Sequence, residues 1–259
     1  VQIGKLGRPR TSARDLRTLW YARYAAGANH PGYSAPPPMD DWTGPTSDYT
    51  WLGNDKVGCC TRTCYGHIIQ QRSALLGVKC ELTTDDILKS YKDGTGWDGI
   101  PGSVSDHGDQ IVRSLTSMKN VGLHDGKYKI RQFGRVNHND TLEMRAALST
   151  FGALIIGANL PSAISRQGTS WTLSPVGQRQ PDEAPGSAGG HAFIITAHQH
   201  GKWSAMPWIH KTQISYAWDD LYIDEAWFVI DDLWVTQNRR APNGFDLARI
   251  EADAAAIAA

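Results

Sequence analysis

The chain has 259 residues, enough to bury a sizeable core, and its composition (41% hydrophobic, 20% charged) is that of a water-soluble globular protein. Lys+Arg and Asp+Glu both number 26, so no overall charge points to nucleic acid or an anionic membrane. No apolar run reaches the roughly 18 residues a membrane span needs, and the first residues carry no secretory apolar core.

Residues 1–40 read as an arm. Ser12 is a candidate N-cap, and Leu16, Leu19, Trp20 and Tyr24 recur at helical spacing. Arg8, Arg10, Arg14, Arg17 and Arg23 make the arm locally basic, suited to a solvated helix face or to an anchor on a partner. The following stretch to Trp51, rich in Pro, Gly and Asp, is expected as extended chain, with Trp42 and Trp51 as anchors.

GNDKVGCCTRTCYGHIIQ (53–70) passes from a glycine-containing loop into a helical pattern, with Cys60, Cys64, His67 and Ile68 on one face. Further helices are expected over Thr84–Tyr91, capped by Thr83 or Thr84, over Asp106–Val121 and over Asn139–Phe151. Beyond Gly152 the pattern changes to strands: ALIIGANL, HAFIITAHQ, WSAMPWIH and EAWFVIDDLW. Helices first and strands afterwards read as α+β. Residues 161–189 form a long loop of the kind that carries function or moves, and 236–259 form a tail with helical pattern.

All four cysteines fall between positions 59 and 80, which fits free thiols better than a disulfide scaffold spread through the fold. A bridge from Cys80 to one of the others is the alternative. A metal site of Cys60, Cys64, His67 and Cys80 is a second alternative, although its members stretch along two helical turns and match no usual zinc spacing. No cofactor is expected.

A nucleophilic cysteine needs a lowered pKa, a nearby base and donors for the developing oxyanion. Cys60 at a helix start supplies the first. His67 lies two turns along the helix, roughly 10 Å away, too far to be the base. His191 in GGHAFIIT is the better candidate. Cys64 and His67 then belong to the buried helix face.

From about Asp41 to Asp231 these motifs resemble the papain-like cysteine peptidases. GNDKVGCCT is similar to the family's nucleophile signature, with Asn54 where that signature carries the amide of the oxyanion hole. DDW (40–42) resembles its short N-terminal motif, GGHAFIIT its histidine strand and DEAWFVI its final strand. The resemblance implies a two-lobed fold over 41–235, with a helical lobe to about 138 and an antiparallel β-sheet lobe from about 139. It implies Cys60 as nucleophile, His191 as base and Asn54 as oxyanion donor, with a peptide or protein as substrate.

Two positions depart from that pattern. Thr61 replaces a tryptophan, and the family's histidine-orienting asparagine falls at Met206-Pro207-Trp208. Either the dyad works without an orienter, or Asp219 or Asp220 serves, or the site is degenerate. KLGRPR (5–10), GNDKVGCC and DEAW are also similar to a branch of papain-like proteins from tailed phages and their bacterial hosts. That likeness implies a virion or bacterial cytoplasm setting, with other virion proteins as partners. Two functions therefore compete: a Cys-His amide hydrolase, and a particle component that keeps the fold without catalysis.

Overall fold

The computed structural model describes residues 2–9, 19–21, 36–45, 48–233, 235 and 252. In chain order the elements are β1 (Leu19–Trp20), β2 (Asp40–Asp41), α1 (Cys60–Leu76), α2 (Thr84–Thr95), α3 (Ile111–Asn120) and β3 (Ile130–Val136). Then follow α4 (Thr141–Phe151), β4 (Leu154–Leu160), α5 (Ile164–Gln167), β5 (Ser170–Trp171) and β6 (Gly189–Gln199). β7 (Lys202–Met206), β8 (Thr212–Ser215), α6 (Tyr216–Tyr222) and β9 (Ile223–Asp231) complete the fold. Among the described residues the strands form one sheet in the order β1-β3-β9-β4-β6-β7-β8-β5, with β2 paired to β6.

Alternation along the strands divides the core in two. Ile155, Ile194 and Val229 face α1, α2 and α3, packing with Tyr65, Ile68, Ile87 and Leu115. Leu154, Ile156, Phe193, Ile195 and Phe228 face the other way, onto Leu148 and Phe151 of α4 and Trp218 of α6. The result is an α+β architecture with a helical lobe and a sheet lobe meeting along α1 and β6.

α1 is buried from Cys60 to Ser73 on every side, its polar residues included. Burial of its charged and amide groups is tolerable because they find partners, whereas Thr61 Oγ1, Tyr65 OH and Ser73 Oγ have no hydrogen-bond partner among the described residues. Arg62 pairs with Asp109 at 2.6 Å, and Arg72 pairs with Asp231 at 2.6 Å while donating to the Phe151 and Val229 carbonyls. Gln71 donates to the carbonyls of Trp42 and Gly152, and His67 Nε2 bonds the Thr50 carbonyl at 3.0 Å. This helix is the spine of the molecule rather than a surface element with one apolar face.

Several sequence expectations are corrected. Leu19 and Trp20, expected on a helix, form a strand parallel to β3, and Arg8 is buried rather than solvated. Ser12, Arg10, Arg14, Leu16, Arg17, Arg23 and Tyr24, like the tail residues 236–251 and 253–259, lie outside the described residues. β3 had no sequence signal because Gln132 and Gly134, between the buried Ile130 and Val136, interrupt its apolar alternation; a Cβ on Gly134 would sit 2.5 Å from the Phe228 ring. The helix expected from Asp106 begins at Ile111. Asp106 instead accepts from the backbone N–H of Gly58 (2.9 Å) and Gly102 (3.1 Å), which ties the loop before α3 to the loop before α1. The strand expected through WSAMPWIH stops at Met206, where Pro207 has no N–H to continue the ladder. The long loop 161–189 contains α5, β5 and a short 3₁₀ turn at Pro181–Glu183.

Candidate active site

Cys60 is the first residue of α1, and its side chain lies against β6. Burial pushes its thiol up to about 11, against the opposing pull of the Ala192 N–H, the Arg8 charge and the N–H groups of Thr61 and Gly7. In this state Cys60 is a protonated thiol.

His191 is fully buried on β6, one residue before Ala192. Its Nε2 lies 2.7 Å from the Pro207 carbonyl oxygen. A carbonyl only accepts, so Nε2 carries the proton and Nδ1 is left with its lone pair. Nδ1 is buried with no hydrogen-bond partner. Trp208 stacks on the imidazole at 4.7 Å between centroids and 27° between planes, covering the ring beside that bond. Burial holds the imidazole neutral, with its pKa lowered to about 4. The imidazole is thus held by a main-chain carbonyl, at the place where the sequence offered no asparagine. Asp219 does not face His191: its Oδ2 accepts from Trp203 Nε1 at 2.7 Å. Asp220 is exposed on the same helix.

The cleft between the lobes is filled by the chain's own N-terminal segment. Lys5 N–H donates to the Asn54 carbonyl at 2.7 Å, and the Asn54 amide donates back to the Lys5 carbonyl at 3.0 Å. The second amide bond, to Val57 O at 3.0 Å, fixes the Asn54 side chain. Gly7 and Arg8 N–H both reach the Gly190 carbonyl, at 3.2 and 3.1 Å, and Gly7 O accepts from Asp109 N–H at 3.0 Å. Asn54 therefore already directs an N–H at a peptide carbonyl in the cleft. Gly7 is obligatory, since a Cβ there would meet Gly58 O at 2.6 Å. A Cβ on Gly190 would meet Arg8 O at 2.0 Å.

The remaining candidates are structural. Cys59, Cys64 and Cys80 are free, as is Cys60. Burial raises the pKa of Cys59 to about 12 and that of Cys64 well above its usual value. His67 is buried, packs edge-on against Tyr49 and has its pKa lowered to about 4 by burial. Among the described residues no three His, Cys, Asp or Glu side chains converge as metal ligands, and no helix is long and apolar enough to cross a membrane.

Asp219 carries a testable consequence of its own. Burial raises its carboxyl to about 7, with Asp220 adding to the rise and Trp203 opposing it. Between about pH 4 and 7 the folded chain holds a proton that the unfolded chain releases, so stability falls as pH rises through that window. Asp219→Asn is expected to leave the thermal midpoint nearly unchanged at pH 4.5 and to raise stability by roughly 2–4 kcal/mol at pH 8. Denaturant titrations at the two pH values measure the difference.

The chain has a papain-like fold. Solved structures with similar architecture include xylellain, a cysteine protease from Xylella fastidiosa, at TM-score 0.65 and 16% identity over 87% of this chain and 96% of that one. Digestive procathepsin L2 of the Tenebrio molitor larval midgut aligns at TM-score 0.53 and 12% identity, over 88% and 76% of the two chains. Procathepsin L 3 of the same tissue aligns at TM-score 0.52 and 9% identity, over 81% and 77%. The sequence matches no protein-family model and no curated protein sequence.

Proposed function

We propose that the chain is a cysteine peptidase or amide hydrolase whose cleft is closed by its own residues 4–8. Once the cleft opens, Cys60 gives its proton to His191 Nδ1 and its sulfur attacks the scissile carbonyl carbon. Asn54 Nδ2–H and the Cys60 backbone N–H donate to the oxyanion. Collapse breaks the C–N bond, the leaving amine takes the proton from His191, and water then hydrolyses the thioester by the same proton route.

The observation that carries this reading is the His191 tautomer: Pro207 O holds Nε2–H and leaves a bare Nδ1 in a fully buried setting. The papain-like architecture supports it. Mass spectrometry after incubation with a thiol-directed epoxide is expected to find the adduct on Cys60. Cys60→Ala is expected to abolish both the adduct and peptide hydrolysis. A folded chain whose Cys60 is alkylated by iodoacetamide but which cleaves no peptide overturns the reading.

The setting in a phage particle or its bacterial host, with virion partners, rests on the KLGRPR, GNDKVGCC and DEAW stretches alone. Lys5 to Arg8 of the first are engaged with this chain's own cleft, which favours the enzyme over the assembly component. Co-purification with particles that persists in Cys60→Ala would favour assembly instead.

A further inference from the structure

We infer that the seat of Arg8 is a subsite for a guanidinium side chain, so that the peptides this cleft accepts carry arginine at that position. The inference rests on the peptidase reading and names its substrate class.

The segment 4–8 holds to the cleft mainly through groups that any peptide possesses. Asn54, Asp109 and Gly190 all bond its main chain. Arg8 is different, because its side chain makes the contacts. Nη1 donates to Glu225 Oε1 at 2.5 Å and Nη2 to Asp224 Oδ1 at 2.8 Å. The guanidinium is fully enclosed, and the two carboxylate side chains are 1% and 9% exposed.

The seat is built around that cation. Asn159 Nδ2 donates to Asp224 Oδ2 at 2.9 Å, and Trp227 Nε1 donates to Glu225 Oε2 at 2.9 Å, so each carboxylate turns its other oxygen toward Arg8. Gly157 lines the seat, and a Cβ there would stand 2.8 Å from Nη1. Arg135 lies 3.6 Å from Glu225 Oε2, its guanidinium 5.6 Å from the Trp20 ring and 5.0 Å from the Trp227 ring. It offsets one of the two acids.

When the segment leaves, the enclosed Asp224 and Glu225 carboxylates keep a place shaped for a cation. Two carboxylates placed against two nitrogens suit the guanidinium fork better than the single ammonium of lysine. The main chain of Arg8 bonds Gly190, the residue before His191, at 3.1 Å, which ties the seat to the strand that carries His191.

Full-length Arg8→Ala vacates the seat; Arg8→Gln serves if the alanine variant does not fold. Fluorogenic peptides differing only in Arg, Lys or Leu at one position report selectivity, and 5 mM ethylguanidinium reports occupancy through the thermal midpoint. Arg is expected to exceed Leu by at least about 30-fold in kcat/KM, with Lys between. Adding Asp224→Asn is expected to remove most of that margin. Ethylguanidinium is expected to raise the midpoint of the variant and not that of the wild type. Cleavage without preference for arginine, with no ethylguanidinium effect, overturns the subsite and leaves the peptidase standing. An ethylguanidinium effect without cleavage of any peptide keeps the guanidinium site and overturns the peptidase.

Discussion

Gly7→Val is expected to raise the rate at which iodoacetamide alkylates Cys60 at pH 7.5 by about 100-fold or more. A Cβ at position 7 would stand 2.6 Å from Gly58 O and 2.7 Å from Gly58 Cα, both backbone atoms fixed just before α1. Valine cannot be seated there, and the segment must leave the cleft. Cys60 then gains access to water, and the burial that holds its thiol at about 11 is lost together with the smaller opposing pull of Gly7 N–H and Arg8. An exposed thiol titrates near 8.5, and lower at a helix start. At pH 7.5 that change alone multiplies the thiolate fraction by roughly 300. The other cysteines make the measurement self-referencing. Cys59 and Cys64 stay buried, and the half-exposed Cys80 reacts alike in both proteins. Peptide mapping over time gives the Cys60 to Cys80 ratio. An unchanged ratio in a variant with wild-type thermal stability would show that the segment does not guard the thiol.

The cleft plug also marks where sequence reading stopped. Cys60 was legible because a glycine-containing loop runs into a helix at that point, and the helix does begin there. α2 was legible from its cap, since Thr83 and Asp86 form the reciprocal pair that their spacing suggests. β4, β6 and β9 were legible from apolar runs, as sequence-continuous signals. What escaped depended on atoms without a side-chain signature. The partner of His191 is the carbonyl of Pro207, which no search for an asparagine or carboxylate can find. Arg8 looked like one more surface cation among five, and only the long-range pairing with Asp224 and Glu225 separates it from the others. DEAW was noticed as a strand, while the two acids at its start pair with Arg8. β3 was missed because Gln132 and Gly134, between the buried Ile130 and Val136, interrupt the apolar alternation of the strand.

With the cleft opened by Gly7→Val, His191→Ala is expected to lower kcat/KM for peptide hydrolysis by about 1,000-fold or more, whereas Asp219→Asn and Asp220→Asn change it less than about twofold. The contrast follows from where each group points. His191 already has its tautomer fixed, by Pro207 O at 2.7 Å, and the next residue, Ala192, bears on Cys60 through its main chain. Asp219 is occupied by Trp203 and sits in the core of the sheet lobe, and Asp220 faces solvent. Trp208→Ala supplies the intermediate case. It removes the stacked ring and admits water to the His191–Pro207 bond, so kcat should fall roughly tenfold with little change in KM. A tenfold loss in Asp219→Asn or Asp220→Asn, with the fold intact, would return the orienting role to a carboxylate. If His191→Ala alone is severe and Trp208→Ala is graded, a peptide carbonyl held by the fold does the work of the absent asparagine. Its position would then be set by the proline that ends β7, because a strand running on through residue 207 would spend that carbonyl on the ladder.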